Sequence, residues 1–256
     1  TLGVESPKLF AVIERQADWL VNNGNTQEVA NTAWACATLC VESPQLFAAI
    51  ESQADWLVNN GNTQEIANTA WAFATLNIQS HKIFAEIEKR SDWLVKNGTT
   101  QAIANTAWAC ATLGVGSPEL FAAIESQADW LVSNADTQAV ANTAWACATL
   151  GIESPELFAA IEIRADWLVN NGNTQDLANT AWAFATLNIQ SHKIFAEIEK
   201  RADWLVKNGT TQAIANTAWA VSQFQYYSPN LMNQMNLRGA WIVKEGNTQH
   251  ISNSAL

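Results

Sequence analysis

Residues 30–35 read Ala-Asn-Thr-Ala-Trp-Ala, and the core of this string returns with its tryptophan at Trp34, Trp71, Trp108, Trp145, Trp182 and Trp219, always 37 residues apart. A second string, Asp-Trp-Leu-Val, keeps the same period with Trp19, Trp56, Trp93, Trp130, Trp167 and Trp204, and Trp241 extends it in a divergent last copy. Those two positions of one unit account for all 13 tryptophans. Self-similarity at such a period marks a stacked-repeat architecture, because one short unit cannot bury its apolar face alone.

Working outward, the 256 residues divide into about seven repeats, 1–37, 38–74, 75–111, 112–148, 149–185, 186–222 and 223–256. Segments 75–111 and 186–222 differ only at Ser91/Ala202, Cys110/Val221 and Ala111/Ser222, so repeats three and six are near copies. No boundary interrupts the series, and residues 1–256 read as a single array cut from a longer one. Uncapped apolar edges at both ends would then allow end-to-end self-association.

Within a unit, Ser6-Pro7 opens helix A, serine as N-cap and proline in the first turn. Leu9, Phe10, Ile13, Ala17, Leu20 and Val21 recur at three- and four-residue spacing, one apolar face of a helix. Gly24 stands where a left-handed residue ends it. Thr26 reads as the N-cap of helix B, whose Val29, Ala30, Ala33, Trp34 and Ala37 form its buried side. Alanines let the helices approach while each tryptophan fills the gap, so Trp108→Ala would cost the 3–5 kcal/mol of a buried indole. No segment alternates as a strand does. The expectation is an all-α, right-handed α-solenoid of stacked two-helix hairpins.

No apolar run approaches the roughly 18 residues of a membrane span, and no secretory signal is visible. An enzyme needs unlike groups converging at one place, whereas this chain repeats the same groups along a line, which points to a binding protein. His81 and His192 replace the proline of helix A and read as helix-start substitutions. Cys36, Cys110 and Cys147 share a position that elsewhere holds Phe73, Phe184 and Val221, a packing position. With Cys40 they form no Cys-x-x-Cys pair, so zinc is not expected, no cofactor is implied, and a reducing intracellular compartment fits.

Function must lie on the remaining faces. Helix A carries Glu14 and Asp18 and their copies, an acidic ribbon read as a solvated outer face or a site for a basic protein. Helix B exposes Gln27, Gln64, Gln101, Gln138, Gln175 and Gln212 together with Asn31, Asn68, Asn105, Asn142, Asn179 and Asn216. Amides donate and accept, as base edges and peptide groups require; the same residues would also serve as an asparagine ladder tying repeats together. Three variable sites accompany this frame, beginning at Glu28, Asn22 and Cys40. Lys89, Arg90 and Lys96, with Lys200, Arg201 and Lys207, are the cations able to meet phosphate, of which Lys96 and Lys207 vary beside the amide frame.

The unit Gln-x-Val/Ile/Leu-Ala-Asn-Thr-Ala-Trp-Ala-x-Ala-Thr-Leu at a period of 37 resembles the heptatricopeptide and octotricopeptide repeat proteins, closer to the former in period. The resemblance implies an organellar protein, of mitochondrion or chloroplast, that binds single-stranded RNA along its inner face and governs RNA stability, processing or translation. It also implies that Asn31, its copies and the variable sites beside them read bases. The near identity of repeats three and six then predicts matching base preferences three positions apart. A net charge of −11 opposes this, since phosphate neutralisation dominates most nucleic-acid affinity. A protein- or peptide-binding scaffold, and an engineered array without a natural ligand, are the alternative readings.

Overall fold

A computed structural model describes residues 7–254; Ser6, read above as the first N-cap, lies outside them. The described residues form 21 helices and no strand, an all-α solenoid whose neighbouring helices pack in sequence order. Each 37-residue repeat holds three helices, where two were expected. In the first repeat these are α1 (Pro7–Arg15), α2 (Ala17–Asn23) and α3 (Thr26–Thr38). The expected helix A is therefore broken, at a single residue, Gln16, with φ −106° and ψ 15°. The break hides from sequence because no Gly or Pro marks it and the apolar spacing runs through unchanged. Locally the Gln16 N–H donates to both Val12 and Ile13 carbonyls, a tightening of the last turn of α1.

The chain falls into two compact units, 1–124 and 125–256. The first contains α1–α3, then α4 (Pro44–Ser52), α5 (Ala54–Asn60), α6 (Thr63–Thr75), α7 (His81–Lys89), α8 (Ser91–Asn97) and α9 (Thr100–Leu113). The division falls inside α10 (Pro118–Ser126). The second unit holds α11 (Ala128–Asn134), α12 (Thr137–Leu150), α13 (Pro155–Ile163), α14 (Ala165–Asn171) and α15 (Thr174–Thr186). It ends with α16 (His192–Lys200), α17 (Ala202–Asn208), α18 (Thr211–Gln223), α19 (Pro229–Leu237), α20 (Gly239–Glu245) and α21 (Thr248–Ser254). Within each unit, third helices stack on third helices: α3, α6 and α9 in the first, α12, α15, α18 and α21 in the second.

Aliphatic residues and phenylalanine fill the core. In the second repeat Leu46, Phe47, Ile50, Ala54, Leu57 and Val58 are all buried, so the helix A periodicity reads correctly even across the break. Phe47 meets Phe73 edge to face at 4.9 Å, and Phe158 meets Phe184 in the same way at 4.9 Å. Contrary to expectation, not one of the 13 tryptophans is buried. Trp34 is 41 % exposed and Trp19 63 %; most of the others are half-buried. Periodicity missed this because Trp34 lies beside the alanine stripe, at its edge.

Two polar staples join one repeat to the next. The Glu125 carboxylate accepts the backbone N–H groups of Glu156 and Leu157 at 2.8 and 3.2 Å, capping α13 from the preceding repeat. Glu14 does the same for Gln45 and Leu46, Glu88 for Glu119, and Glu199 for Asn230 and Leu231. In the two repeats that begin with histidine, Ser80 and Ser191 cap their own helices and donate their hydroxyls to Glu51 and Glu162 at 2.8 and 2.7 Å. This glutamate series is therefore no solvated ribbon. It neutralises orphan donors and the positive helix end. At the break, Arg90, Arg164, Arg201 and Arg238 form the second staple, donating to the last carbonyls of the preceding repeat's second helix: Val58, Val132, Val169 and Val206.

Helix ends correct three further expectations. The N-cap of α3 is Asn25, not Thr26; its side chain accepts from the Glu28 N–H while Glu28 returns a bond to the Asn25 N–H. Gly24 is extended, at φ −77°, rather than left-handed, and Ala135 takes its place in the fourth repeat. The left-handed residues come after the third helix: Cys40, Asn77, Gly114, Gly151, Asn188 and Gln225. That series, read as a variable surface site, is governed by backbone conformation, which favours Gly and Asn.

All four cysteines are free, with Cys40 exposed and Cys36, Cys110 and Cys147 buried. Burial pushes the Cys110 thiol up to about 11 and that of Cys147 to about 12, each beside a serine hydroxyl that offsets a little of the shift.

Two measurements check this account. In thermal or urea unfolding, Glu125→Ala costs about 1–2 kcal/mol, as for a lost helix cap, whereas exposed Asp129→Ala stays within about 0.5 kcal/mol. Trp108→Ala, at a half-buried ring, costs about 1–2 kcal/mol rather than the value of a core indole. At pH 8 an aromatic disulfide reagent titrates one thiol, Cys40, in the native protein and four after denaturation; rapid reaction of Cys110 or Cys147 in the folded state contradicts the burial.

Candidate nucleic-acid interface

The third helix of each repeat places Gln27, Asn31, Trp34 and Thr38 at four-, three- and four-residue spacing, which is one stripe of an α-helix. Its opposite side, with Val29, Ala30, Ala33 and Ala37, is buried against neighbouring helices. The stripe therefore faces solvent by construction. Gln27, Gln64, Gln101, Gln138, Gln175 and Gln212 are exposed throughout; Asn31 is exposed, and Asn68, Asn105, Asn142, Asn179 and Asn216 are half-buried.

In the first unit, Asn31, Trp34, Gln64, Asn68, Gln101 and Asn105 line one cleft of about 460 Å³, so three successive repeats contribute the same residue types to it. In the second unit, the same stripe brings Trp145 and Trp182 to a ring-centroid separation of 6.5 Å with planes inclined by 33°. No hydrogen bond joins these glutamine or asparagine side chains to any partner among the described residues. The asparagine ladder that would have tied repeats together is absent. The amides keep their donors and acceptors for something else.

The electrostatics are equally uneven. The third helices carry no Lys or Arg, and their only acids, Glu28, Glu65 and Asp176, are held in the capping boxes. Glu65 and Asp176 are buried in those caps, and Ala102, Ala139 and Ala213 are buried at the same position, so in these internal repeats this second variable series is a structural position. Burial pushes the Asp176 carboxyl up, with hydrogen bonds from the Thr137 hydroxyl at 2.8 Å and from Asn173 acting against the shift. Exposed acids concentrate on the second helices, where Asp18, Asp55, Asp92, Asp129, Asp166 and Asp203 sit in first turns.

Of the six cations singled out from sequence, four are engaged. Lys89 and Lys200 pair with Glu86 and Glu197 at 2.6 Å. Arg90 and Arg201 serve the second staple while lying over Trp93 and Trp204, at 3.5 and 3.6 Å from the ring centroids. Lys96 and Lys207 are exposed in the last turns of α8 and α17, without an ion pair among the described residues, one short loop before Gln101 and Gln212. Sequence reasoning missed the tryptophan of the stripe altogether, having assigned it to the core. Its place at the third step of the Gln-Asn-Trp-Thr spacing is the signal that marks it.

Among the described residues no group of His, Cys, Asp and Glu is arranged to hold a metal ion, and no helix is long and apolar enough to cross a membrane. Fold and stripe together define a helical-repeat protein that presents one recurring amide-and-indole surface. The chain belongs to the RNA-editing substrate-binding complex 6 protein family, whose model matches residues 1–252. The family name carries an RNA context, as the resemblance implied, but does not single out the heptatricopeptide or octotricopeptide type. No curated protein matches the chain.

Because the stripe amides bond to nothing, Asn142→Ala and Asn179→Ala leave the melting temperature unchanged, within the roughly 0.5 kcal/mol of a surface substitution. A loss of 1 kcal/mol or more per site would restore the ladder.

Proposed function

We propose that the chain binds single-stranded RNA along the amide stripe of its third helices and acts as a modular reader without a catalytic centre. The observation that carries this reading is the set of unbonded, solvent-facing Gln and Asn side chains, repeated in register and converging in a cleft. Side-chain amides present a donor and an acceptor together, which matches the edges of unpaired bases. The family is named for an RNA-editing substrate-binding complex, which supports an RNA context. In that setting the RNA role is in organellar processing, stability or translation, as the heptatricopeptide- and octotricopeptide-like unit implies, and the organelle is the mitochondrion rather than the chloroplast.

Asn31, Asn68, Asn105, Asn142, Asn179 and Asn216 are the principal readers, with the glutamines one turn earlier beside them. Lys96 and Lys207 supply local phosphate contacts. A protein partner is the second reading, favoured because the family's name is that of a complex and because the second helices expose an aspartate in each of six repeats.

Retention of a randomised single-stranded RNA pool at two salt concentrations, followed by sequencing, tests this. The expected result is a short enriched motif whose bases match at the positions read by repeats three and six. With only two free lysines near the stripe, the logarithm of affinity falls with the logarithm of salt at a slope of about −0.7 per phosphate neutralised, hence shallower than about −2. No retention at the lower salt assigns the surface to a protein partner.

A further inference from the structure

The chain displays two ribbons of tryptophan, and the structure treats them differently. In the four copies of the Asp-Trp-Leu-Val series that have arginine at the break, the ring is bedding for it: the guanidiniums of Arg90, Arg164, Arg201 and Arg238 lie 3.5–3.7 Å from the centroids of Trp93, Trp167, Trp204 and Trp241, whereas Trp19, Trp56 and Trp130 follow a glutamine there. Those four ring faces are used. In the third-helix series no cation lies over any ring, and no hydrogen bond engages an indole N–H, among the described residues.

These third-helix rings lie at the edge of the core that Ala33, Cys36 and Ala37 and their copies form. Trp34 is exposed and its copies are partly exposed, so each ring keeps some apolar face within reach of a ligand. Each stands three residues after an unbonded asparagine, one helical turn away, on helices with no free charge. A planar apolar face beside a donor–acceptor edge is the complement of an unpaired nucleobase, which offers the same two features.

Resting on the RNA-binding reading above, we propose that Trp34, Trp71 and Trp108 in the first unit, and Trp145, Trp182 and Trp219 in the second, each form a stacking ladder for the unpaired bases of single-stranded RNA. The neighbouring asparagine of each repeat contacts the edge of the stacked base. The Trp145 and Trp182 centroids stand 6.5 Å apart. One base held between two rings needs about 6.8 Å, twice the 3.4 Å rise of stacked nucleotides. Stacking is tolerant of sequence and independent of salt bridges, so it supplies affinity that this acidic chain does not draw from phosphate contacts. A proline-rich peptide also stacks on indoles, but it is poor in N–H donors and would leave the amide acceptors unmatched.

The test uses the whole chain and three probes: a short oligouridylate, an abasic ribose-phosphate strand of the same length, and a proline-rich peptide. Binding is read by tryptophan fluorescence and by filter retention. Oligouridylate is expected to quench the fluorescence and to bind at least about tenfold tighter than the abasic strand. Each ring lost in W145L and W182L weakens it about 5- to 150-fold, the equivalent of about 1–3 kcal/mol per stacked base. W145Y and W182Y, which keep an aromatic face, recover most of the affinity. Equal binding of the base-bearing and abasic strands, or leucine variants that bind like the wild type, overturns the ladder while RNA binding stands. Failure of both strands to bind overturns the RNA reading and the ladder together, and capture of the peptide alone gives the face to a protein. If the leucine variants do not fold, the tyrosine variants and the base-to-abasic ratio decide.

Discussion

A carboxylate that leaves its own repeat to cap the next one holds this array in register. Every short first helix after the described start exposes two or three backbone N–H groups at its N-terminus, and where proline occupies the first position the preceding serine does not cap them. Glu14, Glu88, Glu125 and Glu199 fill that need from the neighbouring repeat. A carboxylate bonded to backbone N–H at a helix end is among the stronger polar contacts, and here it also fixes which residue of one repeat faces which residue of the next. The arginine staple repeats the logic at the opposite end, giving guanidinium donors to carbonyls that a short helix leaves open. Repeats of three short helices have many ends for their length, and these two side chains close them without adding residues.

Once the staples fix register, the third helices stack through small and aliphatic side chains, and the other edge of each is released from structural duty. That division of labour explains why the amides of the Gln-Asn frame have no partner among the described residues and why the third-helix indoles remain partly exposed. Identical free groups at a fixed spacing make a surface for an extended, repetitive ligand, which a polynucleotide is.

Much of this was legible in sequence. The period, the all-α class, the buried face of the first two helices and the exposed Gln-Asn stripe follow from spacing alone, since 3.6-residue periodicity reports which side of a helix is apolar. The rest was hidden for identifiable reasons. The break at Gln16 leaves the apolar phase intact. Trp34 differs from its buried neighbour Ala33 by one step of 100°, and large apolar side chains at the margin of a face look like core. Glu14 looks solvated because its partners lie 31 and 32 residues away, in a different repeat. The Cys40 and Glu28 series varied as surface positions vary, yet one answers to a left-handed backbone and the other to burial at a helix start, with a capping box where the residue is acidic.

The placement of charge resolves the apparent conflict between a net charge of −11 and a polyanionic ligand. A formal charge counts every carboxylate equally, but the six staple glutamates are bonded to N–H or hydroxyl groups, and Glu65 and Asp176 are buried in caps. Six exposed aspartates sit on second helices, away from the stripe residues of the third. Within a Debye length of about 8 Å at physiological salt, what a bound strand feels is set by the nearest groups, and along the stripe those are mostly amides, hydroxyls and indoles, with exposed Glu28 and Asp136 at helix starts beside it. Such a face neither attracts phosphate strongly nor repels it strongly. Under the proposed RNA reading it selects for what the phosphate backbone carries, and specificity for unpaired bases would follow from the same neutrality that forgoes electrostatic affinity.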